Sequence, residues 1–224
     1  MDKGNRKKIG LLGGNFNPIH HAHLMMADQV AQQMNLEKVL LMPENIPPHV
    51  DEKETISAKH RVKMLELAIK DNPRLGLELI EIERGGKSYS YDTLKLLTEA
   101  NPDTDYYFII GGDMVEYLPK WYKIDELIEL VKFIAIRRTE KNIESPYPVQ
   151  WLEAPLLPIS STMIREMFVQ NIKPTYLLPK DVISYIETEK LYKKMTNNGH
   201  FLFKLPNLEL LVRKLMNFHS KHKR

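Results

Sequence analysis

The chain has 224 residues, a formal net charge of +3 and no cysteine. That length can bury one good core with a minor lobe. The mild charge does not by itself imply nucleic acid, and the lack of cysteine excludes disulfides, thiolate chemistry and cysteine-held metal. No apolar run is long enough to span a membrane, and the basic lead MDKGNRKK is followed by no signal-peptide core. A cytoplasmic protein without a membrane partner is expected.

Residues 9–12, IGLL, are apolar and predict a short buried strand. Gly13 and Gly14 then allow a tight turn and a close approach of backbone to a ligand. Pro18 fixes the chain ahead of Leu24, Ala27, Ala31 and Met34, whose three- and four-residue spacing predicts one face of a helix. His20 and His23 therefore stand at the start of that helix, about one turn apart, where backbone amides attract anions. A glycine turn, two imidazoles and a helix N-terminus together suggest a phosphate site. An ordinary turn with histidines capping the helix is the plain alternative. No Gly-Lys-Ser/Thr closes the turn, so it is not a P-loop, and Pro18 breaks the dinucleotide fingerprint.

A second strand is expected at residues 38–42, closed by Pro43, which makes a βαβ unit and hence a parallel sheet. The proline-rich loop 43–56 belongs on the binding edge of such a sheet and can present His49 inward. Ser57 can cap a helix whose buried face is Ala58, Val62, Leu65 and Ile69, with His60, Arg61 and Lys63 read as a solvated charge run. Residues 75–79 predict a third strand that can run on to Ile82. The loop Gly85 to Asp92 carries Ser88, Tyr89 and Ser90 into a helix, either as an anion-binding N-terminus or as a plain cap.

Residues 106–110 predict a fourth strand ending at Gly111, Gly112 and Asp113, where Asp113 can bond a ribose hydroxyl or a metal-bound water, or cap the next helix. Trp121 can belong to the core or offer a stacking platform, while Trp151 is read as packing. Residues 133–136 predict a fifth strand ending at Arg137 and Arg138, residues 139–150 a loop, and residues 154–157 a short further strand. Ser160, Ser161 and Thr162 then lead into a helix whose first turns carry Arg165. The hydroxyls can donate to phosphate, and the guanidinium fork suits a β- or γ-phosphate.

Gly14, Phe16, Pro18, His20 and His23 match a G-x-F-x-P-x-H-x-G-H signature, with Ala22 in the place of its second glycine. This stretch resembles the N-terminal motif of the bacterial nicotinate-nucleotide adenylyltransferases, in the nucleotidyltransferase superfamily with the H-x-G-H motif. Residues 159–165 resemble that family's I-S-S-T-x-I-R end motif, and the likeness runs to about residue 193. A related end motif occurs in cytidylyltransferases, so the second motif alone does not choose the nucleotide. The resemblance implies a Rossmann-like, doubly wound parallel α/β sheet over residues 7–193, followed by a basic extension over 194–224 that can be helical in part.

The resemblance also implies transfer of the adenylyl group of ATP to nicotinate mononucleotide, giving deamido-NAD and pyrophosphate. His23, His20 and Arg165 are the expected catalytic residues. Gly13, Gly14, Asn15, Phe16, Ser160, Ser161 and Thr162 complete the ATP site. His49, Ser88, Tyr89, Ser90, Asp113, Trp121 and Arg137 are the expected mononucleotide site, with Trp121 stacking on the pyridine and the 88–92 loop receiving the carboxylate. Val50 stands where the family has a lysine, and Ser90 where threonine is usual. Mg²⁺ is expected as a cofactor bound mainly through the ATP phosphates, with no dedicated protein metal cage. The alternatives are an adenylyltransferase for nicotinamide mononucleotide or pantetheine phosphate and, from a different class, a non-enzymatic nucleic-acid-binding protein using Arg137, Arg138 and the tail. The stripe Leu208, Leu211, Val212 and Leu215 can dock on the body, pair with a second subunit in a homo-oligomer, or touch a membrane surface.

Overall fold

The computed structural model describes residues 6–46, 55–137, 144–155 and 157–193. The chain divides into two compact units, Met1–Tyr192 and Lys193–Arg224, and the sheet with all its helices belongs to the first. His49, Val50, Arg138 and the stripe at 208–215 lie outside the described residues.

Strands β1 (Lys7–Gly14), β2 (Lys38–Pro43), β3 (Leu75–Leu77), β4 (Thr104–Gly111), β5 (Lys132–Arg137) and β6 (Val149–Glu153) form one sheet. Its order is β3-β2-β1-β4-β5-β6, and every pairing is parallel. Helices α1 (His21–Gln33), α2 (Ala58–Ile69), α3 (Ile80–Arg84), α4 (Ser90–Ala100), α5 (Ile124–Leu130), α6 (Ser161–Val169) and α7 (Lys180–Thr188) cover its faces, with a 3-10 helix at Gly112–Lys120. Side chains alternate between the two layers, as the strand period demands. Leu12, Val39, Leu41, Ile109 and Ile134 join the core under α1, α2, α6 and α7. Leu11, Met42, Phe108, Ile110 and Phe133 join the core under α4, the 3-10 helix and α5. The chain leaves β1 toward β2 but leaves β4 toward β5. The carboxyl ends of β1 and β4 therefore flank the topological switch point, where open α/β sheets bind ligands. Among the described residues no helix is long and apolar enough to cross a membrane.

Three expectations need correction. The third strand stops at Leu77, and residues 80–84 are helical rather than extended. The Glu78 carboxylate accepts the Ile80 N–H at 3.0 Å, so a side chain starts a helix where alternation suggested strand. The sixth strand is Val149–Glu153, with Trp151 paired to Ala135, and not 154–157. As an edge strand it lacks the continuous apolar run that marks a strand buried on both faces. Finally, Gly13 and Gly14 are not a turn: they pair with Met42 and Pro43 inside β1. The turn follows them, at Phe16, whose φ of 49° lies in the left-handed region.

Candidate active site

The β1–α1 turn is built around the Phe16 ring. Phe16 is buried, and a Cβ at Gly14 would stand 3.3 Å from its ring. The left-handed backbone costs roughly 1–2 kcal/mol for a residue with a Cβ, and ring burial under the strand end offsets it. On its other side the Phe16 ring meets His23 edge-on at 5.1 Å between centroids. His20 is the N-cap residue of α1 and His23 lies in its first turn, so their rings stack at 3.6 Å and 18°. His20 is buried and His23 half-buried. A pair of parallel imidazoles thus stands at a helix N-terminus above the switch point.

The second motif docks on this turn. Ser160 caps α6, its Oγ accepting the Met163 N–H at 3.2 Å. The Ser161 hydroxyl donates to the Pro18 carbonyl at 2.8 Å, across 143 positions of sequence. Arg165 Nη1 donates to the Asn17 carbonyl at 2.8 Å, and Nη2 to Thr162 Oγ1 at 3.2 Å. Motifs from the two ends of the sheet domain therefore form one structure, with Ser161 and Arg165 engaged by the turn.

A third contributor was missed in the sequence. Arg61 is 1% exposed rather than part of a solvated face. Its Nη1 donates to the Asn15 carbonyl at 3.0 Å and its Nη2 to the Asn45 carbonyl at 3.2 Å, tying the loops after β1 and β2 together. Arg61 shares its helix face with buried Met64 and Leu65, and that three- and four-residue spacing was the available signal. Two carboxylates stand nearby, Glu44 interacting with Arg61 and Glu81 with Glu44. Glu44 donates its N–H to the Gly14 carbonyl. Burial, with the Glu81 charge adding to it and Arg61 opposing it, pushes the Glu44 carboxyl up to about 7. Glu81 is 2% exposed and is also raised by burial, against the hydroxyls of Ser88 and Thr93.

A raised carboxyl binds its proton more tightly in the folded chain, so its stabilising share is present at low pH and is lost as pH rises from about 4.5 through about 7. Glu44→Gln should therefore gain on the wild type by roughly 1–3 kcal/mol between pH 5 and pH 8. Urea unfolding at both pH values checks this; a difference independent of pH would contradict it.

The expected mononucleotide residues fall on the neighbouring edge. Trp121 ends the 3-10 helix and wedges between Phe108, at 5.9 Å, and Phe133, at 6.1 Å. Phe108 in turn lies 3.4 Å from the place of a Gly13 Cβ, linking this group to the end of β1. Tyr89 precedes α4 and Ser90 begins it. The Tyr89 and Tyr91 rings meet Tyr122 at 5.3 Å and 6.0 Å, so the 88–92 loop and the Trp121 segment are adjacent. Tyr122, half exposed, was not singled out in the sequence. Ser88 is buried, its N–H donates to the Ile46 carbonyl, and its Oγ accepts the Asn45 N–H. Its own amide is therefore used by the fold, which leaves the first turn of α4, from Ser90, as this loop's helix N-terminus. Asp113 is exposed in the first turn of the 3-10 helix. It follows Gly112, where a Cβ would meet the Ile136 carbonyl at 2.8 Å. Arg137 ends β5 with its guanidinium 5.1 Å over the Trp151 ring.

The model of the family described as cytidylyltransferase-like matches residues 11–167. A probable nicotinate-nucleotide adenylyltransferase of Lactococcus lactis subsp. lactis (strain IL1403) is 87% identical over 194 residues, covering 87% of this chain and 100% of that protein. The chain belongs to the nicotinate-nucleotide adenylyltransferase family. Another relative, a probable nicotinate-nucleotide adenylyltransferase of Enterococcus faecalis (strain ATCC 700802 / V583), is 60% identical, over 86% of this chain and 88% of its own. The fold is shared with the nicotinic acid mononucleotide adenylyltransferase of Plasmodium falciparum. That enzyme's structure complexed with NaAD superposes with a TM-score of 0.70 at 23% identity, covering 83% of this chain and 97% of that one. A nucleotidyl-transfer enzyme of this adenylyltransferase family is thus built on a Rossmann-like sheet.

Proposed function

We propose that the protein transfers the adenylyl group of ATP to nicotinate mononucleotide. An oxygen of the mononucleotide 5′-phosphate attacks the α-phosphorus, the bond to the β-phosphate oxygen breaks, and pyrophosphate leaves as deamido-NAD forms. The observation that carries this reading is the junction of the two phosphate-handling motifs, with the stacked His20–His23 pair at the head of α1 beside Ser161 and Arg165. Both reactants bring their own nucleophile and leaving group, so the protein needs only to align them and to neutralise charge. His23, at the mouth of the pair, contacts the α-phosphate as charge builds. His20 and Arg165 hold the outer phosphates, with the N–H groups of α1 and α6 beside them. Gly13, Gly14, Asn15 and Phe16 shape the floor of this ATP site.

Mg²⁺ prefers oxygen donors and keeps much of its own water. Among the described residues no three His, Cys, Asp or Glu side chains converge. An ion carried by the triphosphate oxygens would neutralise phosphate charge there.

The acceptor side rests on Trp121, the first turn of α4 and Asp113. The α4 amides of Ser90 and Tyr91 receive the carboxylate, Trp121 stacks on the pyridine, and Asp113 and Arg137 frame the ribose and phosphate; His49 is proposed for the same site. An amide in place of the acid brings an NH₂ donor against donors and leaves hydrogen bonds unmade. Nicotinate mononucleotide is therefore preferred over nicotinamide mononucleotide. Specificity constants for both acceptors in wild type and Trp121→Ala test this. The variant should lose about 10- to 100-fold with either acceptor, the scale of one base–aromatic stack, while ATP affinity and the acid preference survive. A wild type that prefers the amide would overturn the carboxylate site, and a variant that weakens ATP instead would move Trp121 to the adenine side.

A further inference from the structure

Tyr192 follows α7, far in sequence from the β1–α1 turn. Its phenol nevertheless donates to Asn17 Oδ1 at 2.7 Å, across 175 positions. The ring packs against Phe168 of α6 at 6.1 Å. Burial pushes the phenol far above its ordinary value, with the charges of Arg165 and Arg61 pulling the other way, so it stays a neutral donor. Asn17 is therefore held by Arg165 on its backbone carbonyl and by Tyr192 on its side chain. The residues on either side of it are fixed as well: Arg61 holds the Asn15 carbonyl and Ser161 the Pro18 carbonyl. Two residues beyond Pro18 stands His20, whose carbonyl accepts the His23 N–H at 3.0 Å.

We propose that Tyr192 is a positioning residue for adenylyl transfer: its hydrogen bond to Asn17 sets the β1–α1 turn so that the His20–His23 ring pair faces the triphosphate. The proposal rests on the adenylyl-transfer reading for its kinetic consequence but not for its structural one. Ser161 and Arg165 grip the turn by its main chain, which any sequence offers. Tyr192 instead reads the turn through a side chain, Asn17 Oδ1, and it couples the end of the sheet domain to the proposed phosphate site. A small displacement of aligned catalytic groups is costly in rate, so losing this one bond is felt in turnover more than in folding.

The test is Tyr192→Phe, which keeps the ring and removes only the hydroxyl, beside Tyr185→Phe as a control. Tyr185 also lies on this C-terminal segment and bonds His60 Nδ1 at 2.8 Å rather than a residue of the turn. Tyr192→Phe should lower kcat/KM for ATP about 10-fold, the scale of one hydrogen bond, and leave KM for nicotinate mononucleotide unchanged. In the substrate-free protein it should shift the ring C–H resonances of His20 and His23. Tyr185→Phe should move neither. In Asn17→Ala the further change Tyr192→Phe should cost nothing more, since the bond is already gone. If Tyr192→Phe keeps wild-type kinetics and histidine resonances, or if the two losses simply multiply, the proposal is wrong. A wild type that releases no pyrophosphate would overturn the adenylyl-transfer reading instead, and the histidine resonances would still decide the role of Tyr192.

Discussion

His23→Ala should lower kcat by about 100- to 1000-fold, the loss seen when a single donor to developing charge is removed, while ATP affinity falls only a few-fold. The ring sits in the first turn of α1, held between the edge of Phe16 and the face of His20. Both contacts hold the ring near the helix N-terminus, which on the proposed mechanism pre-sets it for the charge that gathers on the α-phosphate. Interactions that strengthen only in the transition state appear in kcat and not in ground-state binding. His23 is half-buried and does little for the core, so the variant should fold. Turnover at saturating ATP and the ATP dissociation constant, measured on the same folded protein, separate the two effects. A variant with near-normal kcat, or one whose whole loss lies in ATP binding, would remove His23 from the chemistry.

Arg61→Ala should be the most destabilising single change at the site, by roughly 3–5 kcal/mol, as expected when one partner of a buried charged network is deleted. Three groups lose their partner at once: the Asn15 carbonyl, the Asn45 carbonyl and the charge of Glu44. Arg61→Lys should recover only part of this, because a single ammonium cannot reach two carbonyls on different loops as a planar fork does. Urea midpoints for the two variants measure the stability, and KM for ATP in the lysine variant reports the slackened loop. A loss near 1 kcal/mol for the alanine variant would mean that Arg61 merely fills space.

Much of this fold can be seen in the sequence because a parallel sheet writes itself as apolar runs. β1, β2, β4 and β5 are such runs, each ending in glycine, proline or arginine at the carboxyl edge. The proposed phosphate site stands out for a related reason, since small residues, histidines and hydroxyls gather where backbone must approach a ligand. What escaped was set by partners distant in the chain. Gly13 and Gly14 look like a turn, but they serve the packing of Phe108 and Phe16 inside the strand. β6 is half exposed and carries no apolar run. Arg61 has the composition of a surface residue, and only its place on the Met64–Leu65 face betrays its burial. Ser88 looked like an anion ligand, yet Asn45, Ile46 and Glu81 occupy it. Tyr192 follows a helix end with no periodic pattern to mark it, and its partner Asn17 lies at the other end of the domain.

The most direct measurement is pyrophosphate release from ATP in the presence of Mg²⁺, with nicotinate mononucleotide, nicotinamide mononucleotide and pantetheine phosphate offered separately as acceptors. The stacked histidines, the docked Ser161 and Arg165, and the α4 N-terminus beside Trp121 predict fast release with nicotinate mononucleotide, stoichiometric deamido-NAD, and a clearly lower specificity constant for nicotinamide mononucleotide. Release with pantetheine phosphate but not with either pyridine nucleotide, or no release with any acceptor, would contradict the account.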